Sequence, residues 1–345
     1  MCVAATQTAL MIATTLPSIH RRLARQLPVA LGLLMGLLSL AGCSPRREEV
    51  DVPVSSWPGY EYFFLAQQKG LAERHHLTLT TSQFFDPQEI VHAYLRGEIP
   101  MAQLTSVELV DICARVPERC PEVVLILDES RGGDTLAARR DVPSVQALKG
   151  KTIGMTFSTL GPYFVSRALQ RSGLTLDQVV IRNMPLAEMP AALADGSVDA
   201  VAFFPPFSDY AARAGHSNVL FDSRQIPGEI FDVLVVEPAY LKQHFGAMKK
   251  LVKAWQDAHD YAKSHPAEAL ALMARRQNVK VQEFQAAERG LLYFSLEQQL
   301  PLLAPGGVME RNLKAVQQVQ QQLKLVRPDA LLPKVNAQVV QEAGR

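Results

Sequence analysis

The sequence lacks an excess of charge of either sign. Its 35 lysine and arginine residues are balanced by 34 aspartate and glutamate residues, for a formal net charge of +1 at pH 7. Nucleic-acid-binding domains usually carry a strong basic excess, so this balance argues against a nucleic-acid partner. With 345 residues, 48% of them hydrophobic, the chain has a globular composition and room for two domains.

Signatures of common catalytic sites are also missing. Neither G-x-S-x-G nor H-E-x-x-H occurs, and the neighbouring histidines His75 and His76 point their side chains apart. Gly150-Lys151-Thr152 has the ending of a phosphate-binding loop, but Val145 stands where its first glycine would be. We therefore predict a protein that is not an enzyme and that needs neither a metal ion nor another cofactor.

The N-terminal apolar run, residues 27–40, is too short to cross a bilayer as a helix. Three arginines precede it between residues 21 and 25, and a positive flank before a short apolar core is typical of a secretory signal. The run leads into Leu40-Ala41-Gly42-Cys43, which resembles the lipobox of bacterial lipoproteins. That resemblance implies cleavage before Cys43 and acylation there, and two or more acyl chains hold a protein stably on a membrane.

These N-terminal features predict where the protein resides. Residues 1–42 are predicted to be a lipoprotein signal peptide, and residues 43–50 a polar tether. Ser44 stands where an aspartate would retain a lipoprotein in the inner membrane, so the outer membrane is favoured. We expect a monomer that is lipid-anchored to the membrane and faces the periplasm.

Cysteine is scarce, with four in the whole chain. Cys2 leaves with the signal peptide and Cys43 carries the lipid, so Cys113 and Cys120 remain. An even pair in an oxidising compartment favours a disulfide, which would stabilise the fold by roughly 2–3 kcal/mol by restricting the unfolded chain. The alternative is a pair of free, buried thiols.

The stretch of residues 149–169 shows the repeating unit of the chain. A buried strand over residues 151–155 is followed by a polar turn, residues 157–161, and by a helix over residues 162–169. Such units place their turns at the carboxyl edge of a parallel sheet, where ligands bind. The free N–H groups at the start of the helix then face whatever the turn encloses.

Strand–helix units of this kind occur in two sets and are followed by a helical C-terminal tail. We place the crossings between the sets near residues 138–143 and 232–237. The sequence therefore predicts an α/β fold in which residues 51–140 and 235–345 form lobe 1, and residues 141–234 form lobe 2. Two lobes that share two connecting strands are typical of a hinged protein.

Four segments carry a resemblance to a known family by their order and spacing. They are Trp57-Pro58-Gly59-Tyr60 with Lys69-Gly70-Leu71, then Leu95-Arg96-Gly97-Glu98-Ile99, then Leu148-Lys149-Gly150-Lys151-Thr152-Ile153-Gly154, and last Val198-Asp199-Ala200 with Pro206-Phe207. They resemble the periplasmic solute-binding proteins of ABC importers, in the NMT1-like branch that handles sulfonates, taurine, nitrate and thiamine-precursor pyrimidines. The pyrimidine-synthesising enzymes that share the fold carry a cysteine-rich signature, which this sequence lacks.

The resemblance covers about residues 50–276 and implies a type II periplasmic-binding-protein fold, in which two βα lobes are joined by two crossover strands. It also implies a small-molecule ligand, and a permease and an ATPase as partners. Its ligand cleft would be lined by Ser56, Trp57, Tyr60, Thr105 and Ser106 from the first lobe, by Ser158, Thr159 and Phe204 from the second, and by Asp128 and Asp232 near the crossings. Hydroxyls and helix N-terminal amides suit an oxygen-rich head group, and aromatic rings suit an apolar tail.

Each of these residues also has a purely structural interpretation. The serines and threonines could cap helices, and the aromatic residues could pack in the core. Asp128 ends a buried strand, where an acid needs a partner, and three partners are open: an amine of the ligand, Arg131 or a backbone cap.

We expect a lipid-anchored solute-binding component of an ABC transporter. It would capture a small organic or oxyanion solute by clamshell closure and deliver it to a permease. The alternative is a ligand-sensing accessory lipoprotein that uses the same closure to inform a signalling partner.

Overall fold

The computed structural model describes residues 48–157, 160–215 and 217–345. The predicted signal peptide, the lipidation site Cys43 and the candidate ligand contacts Ser158 and Thr159 lie outside these residues. Within the described ranges, no helix is both long enough and apolar enough to span a membrane.

The first lobe contains two sheets. β1 (Glu48–Val54) and β2 (Leu77–Gln83) form a parallel pair. β3 (Met101–Thr105), β4 (Glu122–Ser130), β10 (Phe231–Val236) and β11 (Leu291–Leu292) form an antiparallel sheet in the order β11-β4-β10-β3. β4 and β10 are buried along almost their whole length, which explains why their sequences are continuous apolar runs instead of alternating ones.

The second lobe contains one sheet of five strands. These are β5 (Thr135–Arg139), β6 (Thr152–Met155), β7 (Val180–Asn183), β8 (Ala200–Phe203) and β9 (Ser217–Asp222), in the order β7-β6-β8-β5-β9. β6 runs parallel to β7 and β8, as the strand–helix repeat predicts, whereas β5 is antiparallel to its neighbours. The carboxyl ends of β6 and β8 therefore meet at one edge of this sheet.

Twelve α-helices occur in the described residues. Six precede β10: α1 (Glu61–Gln68), α2 (Pro87–Arg96), α3 (Ser106–Arg115), α4 (Gly161–Arg171), α5 (Met189–Asp195) and α6 (Phe207–Ala214). The C-terminal region contains α7 (Pro238–Ser264), α8 (Pro266–Arg276), α9 (Val281–Glu288), α10 (Leu296–Leu303), α11 (Val308–Gln322) and α12 (Gln338–Ala343). α7 packs against α1, and α11 packs against α3, so the helical tail covers the first lobe. The predicted α/β fold with a helical C-terminal tail is confirmed.

The chain passes from one lobe to the other twice. Residues 131–134 lead from β4 to β5, and residues 223–230 lead from β9 back to β10. Both crossings come earlier than the predicted residues 138–143 and 232–237. The pairing of the strands moves β5 into the second lobe and β10 into the first.

The shift of the two crossings has a simple physical cause. β5 and β10 are short, apolar and buried, so their sequences do not show which sheet they pair with. β5 bonds to β8 and β9, and β10 bonds to β3 and β4. Pairing partners of this kind are decided by tertiary packing, which local sequence patterns do not encode.

Ser223 links the two connections between the lobes. Its hydroxyl lies 2.8 Å from the hydroxyl of Ser130, and it accepts a hydrogen bond from the Gly132 amide at 2.6 Å. The residue is fully buried, so water does not compete for these bonds. The two connections are therefore joined to each other.

Cys113 and Cys120 form a disulfide, with their Cα atoms 4.4 Å apart. Cys113 lies near the end of α3, and Cys120 follows the short helical turn Pro117–Arg119 that leads to β4. The bond fixes the end of a helix whose first turn lies at the cleft described below.

Candidate ligand-binding cleft

A cavity lies where strand ends of the two lobes meet. It is lined by Ser55, Trp57, Tyr60, Pro87, Thr105, Glu108 and Asp232 from the first lobe, by Asp134 from a connection, and by Leu160 and Phe204 from the second lobe. A second cavity adjoins it and shares Asp134, Leu160 and Phe204. It extends along the second lobe to Thr156 and Phe164. Both lobes thus contribute walls to one cleft.

The segment Trp57-Pro58-Gly59-Tyr60 joins the end of β1 to α1, and its Trp57 and Tyr60 line the first cavity. The Trp57 indole N–H donates to both carboxylate oxygens of Asp128, at 3.1 and 3.3 Å. Gly59 makes this approach possible, since a Cβ atom there would lie 1.9 Å from Asp128 Oδ2. The glycine is required because the carboxylate occupies the space of a side chain.

Asp128 and Asp232 form a carboxyl pair at the base of the cleft. They lie opposite each other on the neighbouring strands β4 and β10, and the Tyr60 hydroxyl donates to Asp232 Oδ1 at 2.5 Å. Burial raises the pKa of Asp128 to about 8. Burial and the nearby Asp128 charge raise the pKa of Asp232 well above its usual range. At neutral pH the pair therefore holds at least one proton.

Two further acids, Glu108 and Asp134, line the same cavity. Glu108 lies in the first turn of α3 and accepts from the amide and the hydroxyl of Thr105, at 2.7 and 3.0 Å. Asp134 lies in the connection between β4 and β5 and is 4% exposed. Burial raises the pKa of each carboxyl to about 7.

Several buried oxygen atoms in this region have no hydrogen-bond partner among residues 48–157, 160–215 and 217–345. They include Ser55 Oγ, Asp134 Oδ2 and Asp232 Oδ2, all on residues that line the cavity. An unpaired buried polar atom costs about 1–3 kcal/mol, so folded proteins rarely leave such groups without a role.

Aromatic rings close the cleft from both sides. The ring of Phe204, which follows β8, meets the Trp57 ring edge-on, with centroids 5.4 Å apart and an interplanar angle of 80°. Gly133 leaves room for the indole, since a Cβ atom there would lie 2.6 Å from Trp57 Cη2. The contact between Trp57 and Phe204 joins the first lobe to the second.

α8 holds the strand end from which this site begins. The Arg276 guanidinium forms an ion pair with Glu61 at the start of α1 and donates to the carbonyl oxygens of Val54 and Ser55, at 3.4 and 3.5 Å. The Glu61 side chain is completely buried, and burial raises the pKa of its carboxyl to about 7 despite the adjacent arginine. Arg276 thus positions the loop that carries Trp57 and Tyr60.

The predicted ligand contacts are distributed as follows in the structure. Five of them line the cavity: Trp57, Tyr60, Thr105, Phe204 and Asp232. The buried Ser106 hydroxyl accepts from the Phe231 amide at 3.5 Å, and the Ser56 hydroxyl is buried outside the cavity wall. Ser158 and Thr159 are not among the described residues. Ligand contact by any of these residues stays a prediction.

Asp128 lies behind Trp57, and the indole is its partner. Arg131, one of the three partners considered from the sequence, pairs with Glu129 instead, at 2.6 Å. The partner was missed because Trp57 and Asp128 are 71 positions apart in the sequence. Only the packing of the β1–α1 loop against β4 brings them together.

Glu108 and Asp134 were not predicted as cleft residues. Glu108 stands three residues after Thr105, a spacing that its role in a capping box explains completely. Asp134 lies in a polar turn between two apolar strands, and such a turn is usually exposed. The signal that was available is an acidic residue in the turn that joins the two lobes.

Solved structures that share this fold include binding proteins and an enzyme. The periplasmic aliphatic sulphonate binding protein SsuA of Escherichia coli has a TM-score of 0.67 and 15% identity, over 82% of this chain and 95% of that one. The periplasmic nitrate-binding protein NrtA of Synechocystis PCC 6803 has a TM-score of 0.67 and 11% identity, over 88% and 86%. The desulfurization enzyme DSZB has a TM-score of 0.60 and 16% identity, over 86% and 99%.

At these identities the structural likeness shows the fold alone, and it confirms the predicted fold class. Family membership comes from the sequence. The family described as NMT1/THI5 like matches residues 57–269, which is more than half of the chain. The match begins at Trp57 and includes the lobe crossings and the strand ends that line the cleft. The chain therefore belongs to the NMT1/THI5-like family.

Proposed function

We propose that the protein is the solute-binding component of an ABC importer, which captures a small solute in the cleft and delivers it to a permease. The observation that carries this proposal is a cavity walled by both lobes, with buried oxygen atoms that lack a partner among the described residues. Two proteins that share the fold bind a sulphonate or nitrate, as their names state. Membership of the NMT1/THI5-like family supports the same role.

Capture would work by closure of the two lobes on the ligand. Trp57 and Phe204 meet across the cleft, so movement of the lobes opens or closes access to the cavity. A ligand favours closure only if it binds the closed form better than the open form. Micromolar affinity, about 8 kcal/mol, would allow both capture and release.

The proposed location is the periplasm, with a lipid anchor at Cys43 and a monomeric chain. Support comes from the lipobox-like sequence before Cys43 and from the disulfide between Cys113 and Cys120. Ser44, which follows the lipobox-like sequence, favours the outer membrane. Disulfides form and persist mainly in oxidising compartments such as the periplasm. A polar tether would then hold the binding lobes close to the membrane.

The proposal includes binding without turnover, although one enzyme shares the fold. A transport protein returns its ligand unchanged, whereas an enzyme releases a product. Mass spectrometry of the compound recovered after prolonged incubation with the purified protein separates these two cases. A product that forms in proportion to protein concentration would contradict the proposal.

Ligand binding tests the proposal directly. Thermal unfolding of the full chain in mild detergent would be followed against sulfonates, nitrate, pyrimidines and amines. A ligand at a hundred times its dissociation constant should add about 2.7 kcal/mol of stability. We expect Phe204→Leu to weaken binding about two- to tenfold through loss of its aromatic contact, since such contacts contribute about 0.5–1.5 kcal/mol.

Phe245→Leu provides the matched control, because Phe245 is also half-buried but lies on α7, away from the cleft. The proposal fails if no compound stabilises the protein, or if both variants weaken binding equally. Uptake of the bound compound by cells with and without the protein then separates import from ligand sensing.

A further inference from the structure

The charged side chains that line the cleft are all acidic. Glu108, Asp134 and Asp232 line the first cavity, and Asp128 lies directly behind its Trp57 wall. The described residues that line the two adjoining cavities include no lysine, arginine or histidine. An anionic ligand in this cleft would meet several carboxyl groups and no side-chain cation from those walls.

Two of the acids that line this cavity each have a buried oxygen that lacks a donor among the described residues. Asp134 Oδ2 and Asp232 Oδ2 have no hydrogen-bond partner among the described residues, on side chains that are 4% and 1% exposed. When either carboxyl is ionised, its oxygens can only accept hydrogen bonds, so a donor is the partner that the ionised form requires. A donor that carries positive charge would also balance the buried charge of these acids.

Aromatic rings lie in the same walls. Trp57, Tyr60 and Phe204 line the cavity that contains the two unpaired oxygens. The faces of aromatic rings attract cations, and their area excludes water from an apolar group. In the described part of the chain, no three histidine, cysteine, aspartate or glutamate side chains are arranged to hold a metal ion. The walls therefore suit a cation with an apolar body.

We propose that the cleft binds a protonated organic amine, whose N–H groups donate to Asp134 and Asp232 and whose apolar part contacts Trp57 and Phe204. This proposal rests on the proposed solute-binding function and names the ligand class of the same site. It differs from the sulphonate and nitrate that two proteins of this fold bind, as their names state.

The proposal makes binding depend on pH in a definite direction. Asp232 is faced by Asp128 from β4, by Tyr60 from the β1–α1 loop, by Glu108 from α3 and by Asp134 from the connection. Burial raises the pKa of Asp134 to about 7, so this acid is partly protonated in the free protein at neutral pH. A bound cation stabilises the ionised form, so an amine displaces protons and binds more tightly as the pH rises.

The test uses two probes of similar size and opposite charge, benzylamine and benzenesulfonate. Their affinities for the full chain in detergent would be measured by calorimetry at pH 6 and pH 8, and putrescine would extend the amine set. We expect an amine to bind about tenfold more tightly at pH 8 than at pH 6, because an acid of pKa about 7 changes from roughly one-tenth to nine-tenths ionised.

Variants test the two carboxyl groups. Asp134→Asn and Asp232→Asn keep the shape of each side chain, and each should weaken amine binding at least tenfold and flatten its pH dependence. Asp111→Asn is the matched control, since Asp111 lies on α3 with Glu108 but pairs with Arg115 outside the first cavity. The pH dependence of the unaltered chain provides a test that does not depend on the folding of any variant.

The outcomes separate this proposal from the function on which it rests. If benzenesulfonate or nitrate binds and its affinity falls as the pH rises, the amine proposal is overturned while the solute-binding function stands. If amines bind equally well to the Asp134 and Asp232 variants, the assignment of these two carboxyl groups is overturned. If no probe of either charge binds, both the ligand class and the solute-binding function are contradicted.

Discussion

At the scale of single residues, Gly59 shows how one position controls the base of the cleft. Its missing side chain lets Asp128 reach the Trp57 indole. A methyl group there would overlap Asp128 Oδ2, so the carboxylate would have to move away. Movement of Asp128 would break the contact that fixes the indole at the cleft.

We therefore predict that Gly59→Ala destabilises the protein by roughly 1–3 kcal/mol, the usual cost of forcing an extra group into a packed interior. Urea unfolding followed by tryptophan fluorescence would measure the change. Gly246→Ala is the control, because Gly246 lies in α7 and a methyl group there would meet only Glu48, at 3.6 Å. Alanine should be neutral or stabilising there. Equal stability of the two variants would contradict the packing argument.

The buried acids determine how stability changes with pH. In the folded protein the pKa of Asp134 is about 7 and that of Asp128 about 8, against an ordinary value of 3.8. Between pH 4 and pH 8 these two acids therefore bind more protons in the folded state than in the unfolded state. The stability that these acids contribute is fully present below their ordinary pKa. It is lost as the pH rises through their pKa in the folded protein.

We predict that the ligand-free protein melts at least about 5 °C lower at pH 8 than at pH 5. At about 2–4 °C for each kcal/mol, this shift corresponds to a loss of roughly 1–2 kcal/mol in the free energy of unfolding. Scanning calorimetry over this range would show it. Asp134→Asn should reduce the slope. Asp141→Asn should not, because Asp141 is exposed and pairs with Arg139, which lowers its pKa below the window. A melting temperature that rises with pH would contradict the raised pKa values.

Sequence patterns predicted five of the residues that line the cavity, but not the acids Glu108 and Asp134. Trp57, Tyr60, Thr105, Phe204 and Asp232 could be predicted because they lie at strand ends or loop starts, where a βα fold places its ligand contacts. The location of Glu108 and Asp134 depends on how α3 and a lobe crossing pack. Neither arrangement is visible in local sequence.

At the scale of elements, α8 and the β1–α1 loop depend on each other through Arg276. Its guanidinium is the cation that pairs with the buried Glu61, and it also bonds to the end of β1. Removal of one member of a buried pair leaves an uncompensated charge, whereas an apolar pair of similar volume is often tolerated. The pair therefore specifies how α8 meets the loop.

We predict that Arg276→Met costs about 3–5 kcal/mol, and that adding Glu61→Leu to this variant recovers most of the loss. Denaturant unfolding of the single and double variants would measure both effects. Because Arg276 also bonds to backbone oxygens of Val54 and Ser55, the recovery should be incomplete. A double variant that is less stable than Arg276→Met would show that the charge of Glu61 is not the cause.

Elements were easier to predict than their pairing. Helix starts are encoded locally: Asp86 accepts from the Gln88 amide at the start of α2, and Thr105 and Glu108 form a capping box at the start of α3. Sheet membership is not encoded locally, and for that reason the crossings at residues 131–134 and 223–230 were predicted several residues too late. Both connections join strands that are apolar and buried.

At the scale of the whole molecule, the proposed anchor determines where the cleft operates. We predict that the mature protein partitions into the detergent phase of Triton X-114 and that Cys43→Ser moves it to the aqueous phase, since acyl chains provide the membrane affinity. Cys113→Ser combined with Cys120→Ser is the control, because these residues form the disulfide and should not affect partitioning. Detergent partitioning of the Cys43→Ser variant would contradict the anchor.

The bonds of Ser223 have a consequence for the motion of the lobes. Because this hydroxyl contacts Ser130 and the Gly132 amide, the two connections cannot twist independently, and the lobes are expected to rotate about one common axis. Asp134 lies in one of these connections and also lines the cavity. A ligand that bonds to Asp134 would therefore contact the connection about which the lobes turn, so that binding and closure would be coupled at the hinge.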